Sequence, residues 1–163
     1  MDLGKYELRG LLLAAIKSEV ESKNVYLKLK DRVDNILLKE RFEFLAGEEQ
    51  KHKEYIEKIY KRKMGEDVPE LPEKTIVPLP EIKADDDMPI SEILQSAMDA
   101  ELAARDFYLS LSDRFNDEPE VRKMLQIFAD MELGHYRLLE LEKQIAEKFE
   151  DYEAFSPDIH LGP

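Results

Sequence analysis

Two pairs of residues in the pattern Glu-x-x-His stand out in this chain, Glu49 with His52 and Glu132 with His135. Residues three apart on a helix lie on one face, so each pair can offer a carboxylate and an imidazole to the same metal ion. One pair alone is weak evidence, because 37 of the 163 residues are acidic. Two pairs at matching places in two similar helices favour a metal site.

Two further carboxylates, Glu19 and Glu101, interrupt apolar stripes on the first and third predicted helices. The first stripe has steps of three and four residues and consists of Leu8, Leu12, Ala15, Glu19, Ser22, Tyr26, Leu29 and Val33. The third helix repeats this stripe 82 residues later, and the fourth helix repeats the stripe of the second 83 residues later. The chain is therefore predicted to be one helical hairpin used twice.

The predicted fold is an all-α four-helix bundle in a single domain that spans residues 1–163. One hairpin covers residues 5–64, the other covers residues 91–149, and residues 150–163 form a tail. Five prolines and the run Asp85-Asp86-Asp87 exclude a long helix from the linker at residues 65–90. A connection of this length is unusual inside a domain but typical of bundles with a long crossover.

Each hairpin places three polar groups in the middle of its apolar stripes. Burying four carboxylates together is costly unless they are protonated or bound to cations. Two divalent ions would neutralise them, with two of the Glu residues bridging the ions and each His binding one ion. A Glu from each of two helices and Glu-x-x-His from each of the other two is the pattern of ferritin-like bundles that bind two iron or manganese ions. The predicted ligands are Glu19, Glu49, His52, Glu101, Glu132 and His135.

Other polar residues have simpler interpretations. Glu48 precedes a predicted ligand, but the second hairpin has Met131 in its place, so Glu48 is assigned to the solvated face. His160 lies in the tail and is assigned to the surface. Tyr26 and Tyr108 lie two turns after the carboxylates of their helices. Core packing explains them about as well as a role in which each phenol donates a hydrogen bond to a ligand carboxylate.

The composition excludes several classes of protein. The chain has no Cys, which excludes disulfides, zinc–thiolate sites and iron–sulfur clusters. The formal net charge of −13 disfavours nucleic acid and anionic membranes as partners. The first residues lack the layout of a signal peptide, and the apolar run from Leu11 to Ile16 is too short to span a bilayer. A cytoplasmic protein is expected.

At these residues the chain resembles the rubrerythrin branch of the ferritin-like superfamily. The matching stretches are Ala15 to Glu19 with Tyr26, Leu45 to His52, Ala97 to Glu101 with Phe107 and Tyr108, and Phe128 to His135. The resemblance implies a non-haem centre of two iron ions that reacts with hydrogen peroxide or dioxygen. Manganese also suits these ligands, and zinc can occupy such sites in purified protein.

The chain departs from that family pattern in two respects. Full-length rubrerythrins carry a rubredoxin-type iron site with four cysteines, and this chain has no Cys. The resemblance therefore implies an external electron donor, such as a rubredoxin-type protein. Rubrerythrins also place a further Glu three residues after the ligand on the third helix, where this chain has Ala104. This chain therefore has no residue at that position that could perform the redox-linked change of ligand associated with that Glu.

Three functions fit these residues. The first is a di-iron oxidoreductase that reduces hydrogen peroxide or dioxygen with electrons from an external donor. The second is a ferroxidase or iron-handling protein with Fe(II) as its substrate, and the third is a structural bundle that metal stabilises without turnover. A homodimer is also predicted, because the apolar faces of two hairpins can pair between chains and the long linker permits their exchange.

Overall fold

The protein is described by a computed structural model that covers residues 2–77 and 79–155, with side chains described to residue 148. The described residues form four α-helices and one short 3₁₀ turn. They are α1 (Leu8–Arg32), α2 (Ile36–Met64), α3 (Ile90–Ser112), the 3₁₀ turn Asp113–Phe115 and α4 (Pro119–Phe155). The predicted all-α, ferritin-like four-helix bundle is confirmed. Within it α1 pairs with α2 and α3 with α4, and the two hairpins pack with α1 beside α3 and α2 beside α4.

Local sequence signals determine where α2 begins and ends. The side chain of Asn35 accepts a hydrogen bond from the backbone N–H of Leu38 at 3.2 Å, as helix-capping residues do. At the other end Gly65 has a φ of 72°, and its N–H bonds to the carbonyl of Lys61 at 2.9 Å. For a residue with a Cβ atom, that left-handed conformation costs about 1–2 kcal/mol. The turn thus ends the first hairpin at the site predicted from the sequence.

The fourth helix is longer than the sequence pattern predicted. It begins at Pro119, whose fixed φ suits a first helical turn, and it continues to Phe155. The predicted boundary at residue 149 therefore falls inside α4, and residues 150–155 are helical rather than part of a tail. The rest of the predicted tail, with His160, lies outside the described residues.

The linker packs against the outside of α1 without forming a helix or strand in its described residues, 66–77 and 79–89. Val77 is buried in the core. Ile76 lies over Gly10, where an added Cβ would be 2.3 Å from the Ile76 Cδ1 atom. Arg32 donates a hydrogen bond to the carbonyl of Met88 at 2.8 Å, close to the start of α3. The linker thus covers the side of the bundle that contains α1.

The apolar core consists of two clusters, one toward each end of the bundle. One includes Leu12, Ile56 and Phe107, and the other includes Leu29, Phe42 and Leu94. The predicted ligands occupy the sequence positions between these two sets on every helix. Burial of both clusters stabilises the bundle at about 25 cal/mol per Å² of apolar surface. Among the described residues, no helix combines the length and apolar character that crossing a membrane requires.

Candidate metal centre

The six predicted ligands lie together in the middle of the bundle, and all six are buried. Glu19 comes from α1, Glu101 comes from α3, and α2 and α4 each contribute a Glu and a His one turn apart. Each is the polar member of an apolar stripe, so burial of the stripe carries the polar group inward. The six groups form two overlapping sets of four: Glu19, Glu49, His52 and Glu132; and Glu49, Glu101, Glu132 and His135.

The first set surrounds the imidazole of His52. Its Nδ1 atom lies 3.0 Å from Glu132 Oε1, 3.5 Å from Glu19 Oε2 and 3.5 Å from Glu49 Oε2. One ligand atom from each of the four residues lies within 4.8 Å of the others. Three carboxylates and one imidazole at this separation can hold one divalent ion.

The second set repeats this arrangement around His135. Its Nδ1 atom lies 3.0 Å from Glu132 Oε2, 3.2 Å from Glu49 Oε1 and 3.6 Å from Glu101 Oε2. The two imidazole rings are stacked with their centroids 6.0 Å apart. Glu49 and Glu132 belong to both sets, whereas each of the other four residues belongs to one. The geometry therefore distinguishes two shared carboxylates from two that serve a single set.

Several buried polar atoms at this site lack a hydrogen-bond partner among the described residues. They are Glu49 Oε1, Glu132 Oε1 and both ring nitrogens of His52. His52 Nδ1, for example, lies within 3.5 Å of three carboxylate oxygens without forming a hydrogen bond to any of them. Buried polar groups are nearly always satisfied, and exceptions need an explanation. Among the described residues one hydrogen bond joins two of the six candidate ligands, between His135 Nδ1 and Glu132 Oε2 at 3.0 Å. The unpartnered oxygen and nitrogen atoms that converge beside it fit a pair of metal ions, so the residues present suit the group that the resemblance implies.

The electrostatics of the site also favour cations. Burial raises the pKa of Glu19 and of Glu101 well above the usual value, and the charge of Glu49 raises both further. Burial also acts to raise the pKa of Glu49, but contacts with His135 and His52 outweigh it and hold that pKa below its usual range. Burial alone would lower the pKa of His52. Contacts with Glu132 and the other carboxylates have the larger effect and raise that pKa to about 12. Without a metal ion, the carboxylates therefore favour the protonated, positively charged form of the histidines.

Two tyrosines hold the carboxylates that belong to one set each. The phenol of Tyr26 donates a hydrogen bond to Glu101, and the phenol of Tyr108 donates one to Glu19. Both tyrosines are fully buried, and burial raises the pKa of each phenol well above 10. Both phenols therefore remain protonated donors. From the sequence, this role and core packing were equal alternatives for both tyrosines, and nothing indicated that each phenol reaches the opposite hairpin.

Phe128 packs beside the site, and the sequence placed it in the apolar stripe of the fourth helix without giving it a role at the site. Its ring centroid lies 4.2 Å from that of His52, 5.7 Å from that of Tyr108 and 5.4 Å from that of Tyr55. It occupies a stripe position next to the ligands of α4, which could have marked it as a neighbour of the site. These aromatic contacts pack around the His52 ring, which is fully buried.

The assignment of Glu48 to the solvated face requires correction. Its side chain is only 11% exposed, and it pairs with Lys51 at 2.5 Å on the outside of α2. It does not belong to either set of candidate ligands. Ala104, which replaces the further Glu of rubrerythrins, is half-buried one turn after Glu101 on α3. The methyl group of Ala104 offers no donor to a metal ion.

Comparisons with known proteins agree with this site. The chain matches the rubrerythrin family over residues 10–87 and 92–160. A solved structure of a hypothetical protein, Pfu-1136390-001 from Pyrococcus furiosus, has a TM-score of 0.76 and 29% sequence identity to this chain. The alignment covers 90% of this chain and 94% of that one. No curated protein was found to match. Because the family match includes both hairpins and all six candidate ligands, the chain belongs to the rubrerythrin family.

Proposed function

We propose that this protein is a non-haem di-iron oxidoreductase that reduces hydrogen peroxide or dioxygen with electrons from an external donor. The observation that carries the proposal is the pair of overlapping Glu/His sets, which share Glu49 and Glu132 in the buried middle of the bundle. Two sets with shared carboxylates suit two ions held close together. A two-ion site matches a substrate that must accept two electrons at once.

The residues that would hold the ions follow from membership of the two sets. Glu19 and His52 would hold one ion, Glu101 and His135 would hold the other, and Glu49 with Glu132 would contact both. When bound, a pair of iron ions supplies the two electrons that convert hydrogen peroxide and two protons into two molecules of water. The four carboxylates offset the charge of the ions in a low-dielectric environment.

The remaining residues of the site orient the ligands and exclude water. Tyr26 and Tyr108 donate hydrogen bonds to Glu101 and Glu19, which leaves fewer orientations open to those two carboxylates. Phe128 packs against the His52 ring. The apolar clusters toward both ends of the bundle surround the site with hydrocarbon. The protein therefore contributes fixed geometry and a water-poor environment.

The proposal is tested by loading the protein with Fe(II) without oxygen, measuring the bound metal, and adding hydrogen peroxide with a chemical reductant. We expect about two irons per chain, in line with the two sets of ligands, and repeated consumption of peroxide. The double variant Glu19→Ala with Glu101→Ala should lose this turnover. Glu48→Ala is the matched control, because Glu48 is a buried carboxylate next to a candidate ligand but outside both sets. That variant should keep its turnover.

Two outcomes would contradict the proposal. If iron is oxidised in stoichiometric amounts and accumulates without sustained peroxide consumption, then Fe(II) is the substrate and the protein is a ferroxidase. If metal raises the melting temperature but neither peroxide nor dioxygen is consumed, then the centre is structural. The double variant would then lose stability alone.

A further inference from the structure

The two histidines of the candidate metal centre have different neighbours, although the repeat relates the histidines to each other. His52 packs against Phe128, and Phe128 packs against Tyr55. The positions that correspond to these two aromatic residues, 83 residues away in the other hairpin, hold Leu45 and Leu138. The aromatic contacts are therefore not a by-product of the repeat, and they belong to one half of a centre whose ligands are duplicated.

The two aromatic rings connect His52 with the surface of the protein. Tyr55 is half-buried on α2, and its ring centroid lies 5.4 Å from that of Phe128 on α4. The Phe128 centroid lies 4.2 Å from that of His52, which is fully buried. Rings whose centroids lie closer than about 7 Å are in contact. Because electrons pass faster through packed groups than across gaps, this path suits electron transfer between the surface and the centre.

Basic residues are concentrated around Tyr55, although the formal net charge of the chain is −13. Of the 13 residues from Lys51 to Lys63, six are basic and two are acidic. The corresponding residues of α4, 134–146, include two basic and two acidic residues. The basic character, like the aromatic contacts, therefore belongs to the first hairpin and not to the repeat.

The residues on the same side of α2 as Tyr55 form a stripe on the outside of the bundle. Its steps of four and three residues keep its members on one side of the helix. This Tyr55 stripe consists of Phe44, Glu48, Lys51, Tyr55, Lys58 and Arg62. Phe44 is 55% exposed, and the side chains of Lys51 and Arg62 are 71% and 56% exposed. Lys51 and Arg62 each pair with a carboxylate, but Lys58 forms no ion pair within the described part of the chain.

The charge of the Tyr55 stripe selects the class of partner. A protein with a net charge of −13 repels an acidic partner, so such a partner approaches where basic residues are concentrated. The stripe extends for about 27 Å at 1.5 Å per residue, and transient redox partners need only a small interface, below about 1,200 Å². We propose that an electron carrier with an acidic surface docks on the Tyr55 stripe and reduces the metal-loaded centre through Tyr55 and Phe128, an inference that rests on the proposed function.

Electron transfer along this path changes no covalent bond. At each encounter one electron leaves the reduced carrier, which is oxidised, and enters the metal pair, which is reduced. Two encounters supply the two electrons that hydrogen peroxide takes up, together with two protons, to form two molecules of water. Tyr55 and Phe128 provide packed rings between the two redox centres and are neither oxidised nor reduced.

Reduction of the oxidised, iron-loaded protein tests the role of Tyr55. A reduced rubredoxin-type protein with an acidic surface serves as the carrier. Tyr55→Leu introduces the residue type that the second hairpin has at Leu138, and it should lower the limiting rate of reduction severalfold. The carrier concentration that gives half of that rate should change little. Tyr55→Phe keeps the ring and should keep the wild-type rate, because the path uses the ring and not the phenol oxygen.

Charge reversal tests the docking surface. The double variant Lys58→Glu with Arg62→Glu should lower the second-order rate constant for reduction by the carrier about tenfold or more, and should weaken its dependence on salt. Lys74→Glu with Lys83→Glu is the matched control, since it changes the net charge equally at two exposed lysines of the linker, on the α1 side. This control should keep most of the wild-type rate. Calorimetry with the oxidised carrier measures the same difference as an affinity, without turnover.

The possible failures of the experiment are distinguishable. Reduced methyl viologen, a small cation, needs no docking surface, so a wild-type protein that shows no peroxide turnover with it would contradict the proposed function. Calorimetry would still decide whether the carrier docks on the Tyr55 stripe. If viologen supports turnover but the carrier neither binds nor reduces the wild type, the proposed docking is wrong. Equal affinities for the two charge-reversed variants would place the docking surface elsewhere, and an undiminished limiting rate in Tyr55→Leu would overturn the aromatic path. Circular dichroism and the iron content of each variant identify any loss caused by unfolding.

Discussion

The phenol of Tyr26 on α1 donates a hydrogen bond to the carboxylate of Glu101 on α3, across the boundary between the two hairpins. Tyr108 and Glu19 make the reciprocal contact. Each repeat thus provides the donor that orients a candidate ligand of the other. Since the two hairpins are joined only by the linker along the chain, these two bonds connect them at the site itself.

Replacing either tyrosine with phenylalanine should therefore destabilise the bundle. Tyr26→Phe keeps the ring but leaves Glu101 without its buried donor, which typically costs about 1–3 kcal/mol. Tyr108→Phe should cost a similar amount through Glu19. Urea denaturation measures the free energy of unfolding for both variants.

The control for these variants is Tyr136→Phe. The Tyr136 phenol makes an exposed hydrogen bond of 3.4 Å to Glu140, so its loss should change the free energy of unfolding by less than about 0.5 kcal/mol. If all three variants are equally stable, then the buried phenols do not support the carboxylates.

The shared and unshared carboxylates should also differ in metal binding. Glu19→Gln replaces a charged carboxylate with a neutral amide in one set only. We therefore expect one ion to bind normally and the affinity for the other to fall more than about a hundredfold, beyond the usual cost of losing an orienting partner. Glu49→Gln makes the same change in both sets and should weaken the binding of both ions. Anaerobic titration of metal-free protein with Fe(II), followed by calorimetry, measures the two affinities.

Glu101→Gln is the matched variant in the other set and should mirror Glu19→Gln. Loss of both ions in Glu19→Gln would show that the two sets do not bind independently. Full retention of both ions in Glu49→Gln would show that Glu49 is not a shared ligand.

The fold was predictable from the sequence because the repeated apolar stripes have the three- and four-residue spacing of an α-helix. Glu19 and Glu101 were recognisable as inward-facing groups because each lies in an apolar stripe that faces the core. A carboxylate buried there is favourable only with a partner. The crossed pairing of Tyr26 with Glu101 was not predictable, because periodicity assigns a face to a residue but does not identify the helix opposite. Glu48 was misassigned for a related reason, since a long carboxylate can be covered by its neighbours while its charge remains paired at the surface.

Substitution by alanine at two glycines of the first hairpin should change the stability of the protein in opposite directions. Gly65 has a φ of 72°, so Gly65→Ala should destabilise the protein by about 1 kcal/mol. Gly47 lies inside α2 with free space around its added Cβ, so Gly47→Ala should stabilise it by about 0.5–1 kcal/mol. Thermal unfolding monitored by circular dichroism measures both effects. A loss of stability in Gly47→Ala would show that an unseen contact occupies that space.

A buried carboxylate far from the candidate ligands gives a last prediction. Glu142 on α4 has a side chain that is 5% exposed, and it is paired with Arg41 on α2, which is 38% exposed. Arg41→Met keeps much of the aliphatic volume but removes the counter-charge, so it should destabilise the protein by about 1–3 kcal/mol. The double variant Arg41→Met with Glu142→Leu leaves no unpaired buried charge at this contact and should recover most of that loss. Denaturation of the wild type, both single variants and the double variant gives the coupling energy. If the double variant is no more stable than Arg41→Met, then the loss comes from the packing of the Arg41 stem, and the ion pair does not connect α2 to α4 energetically.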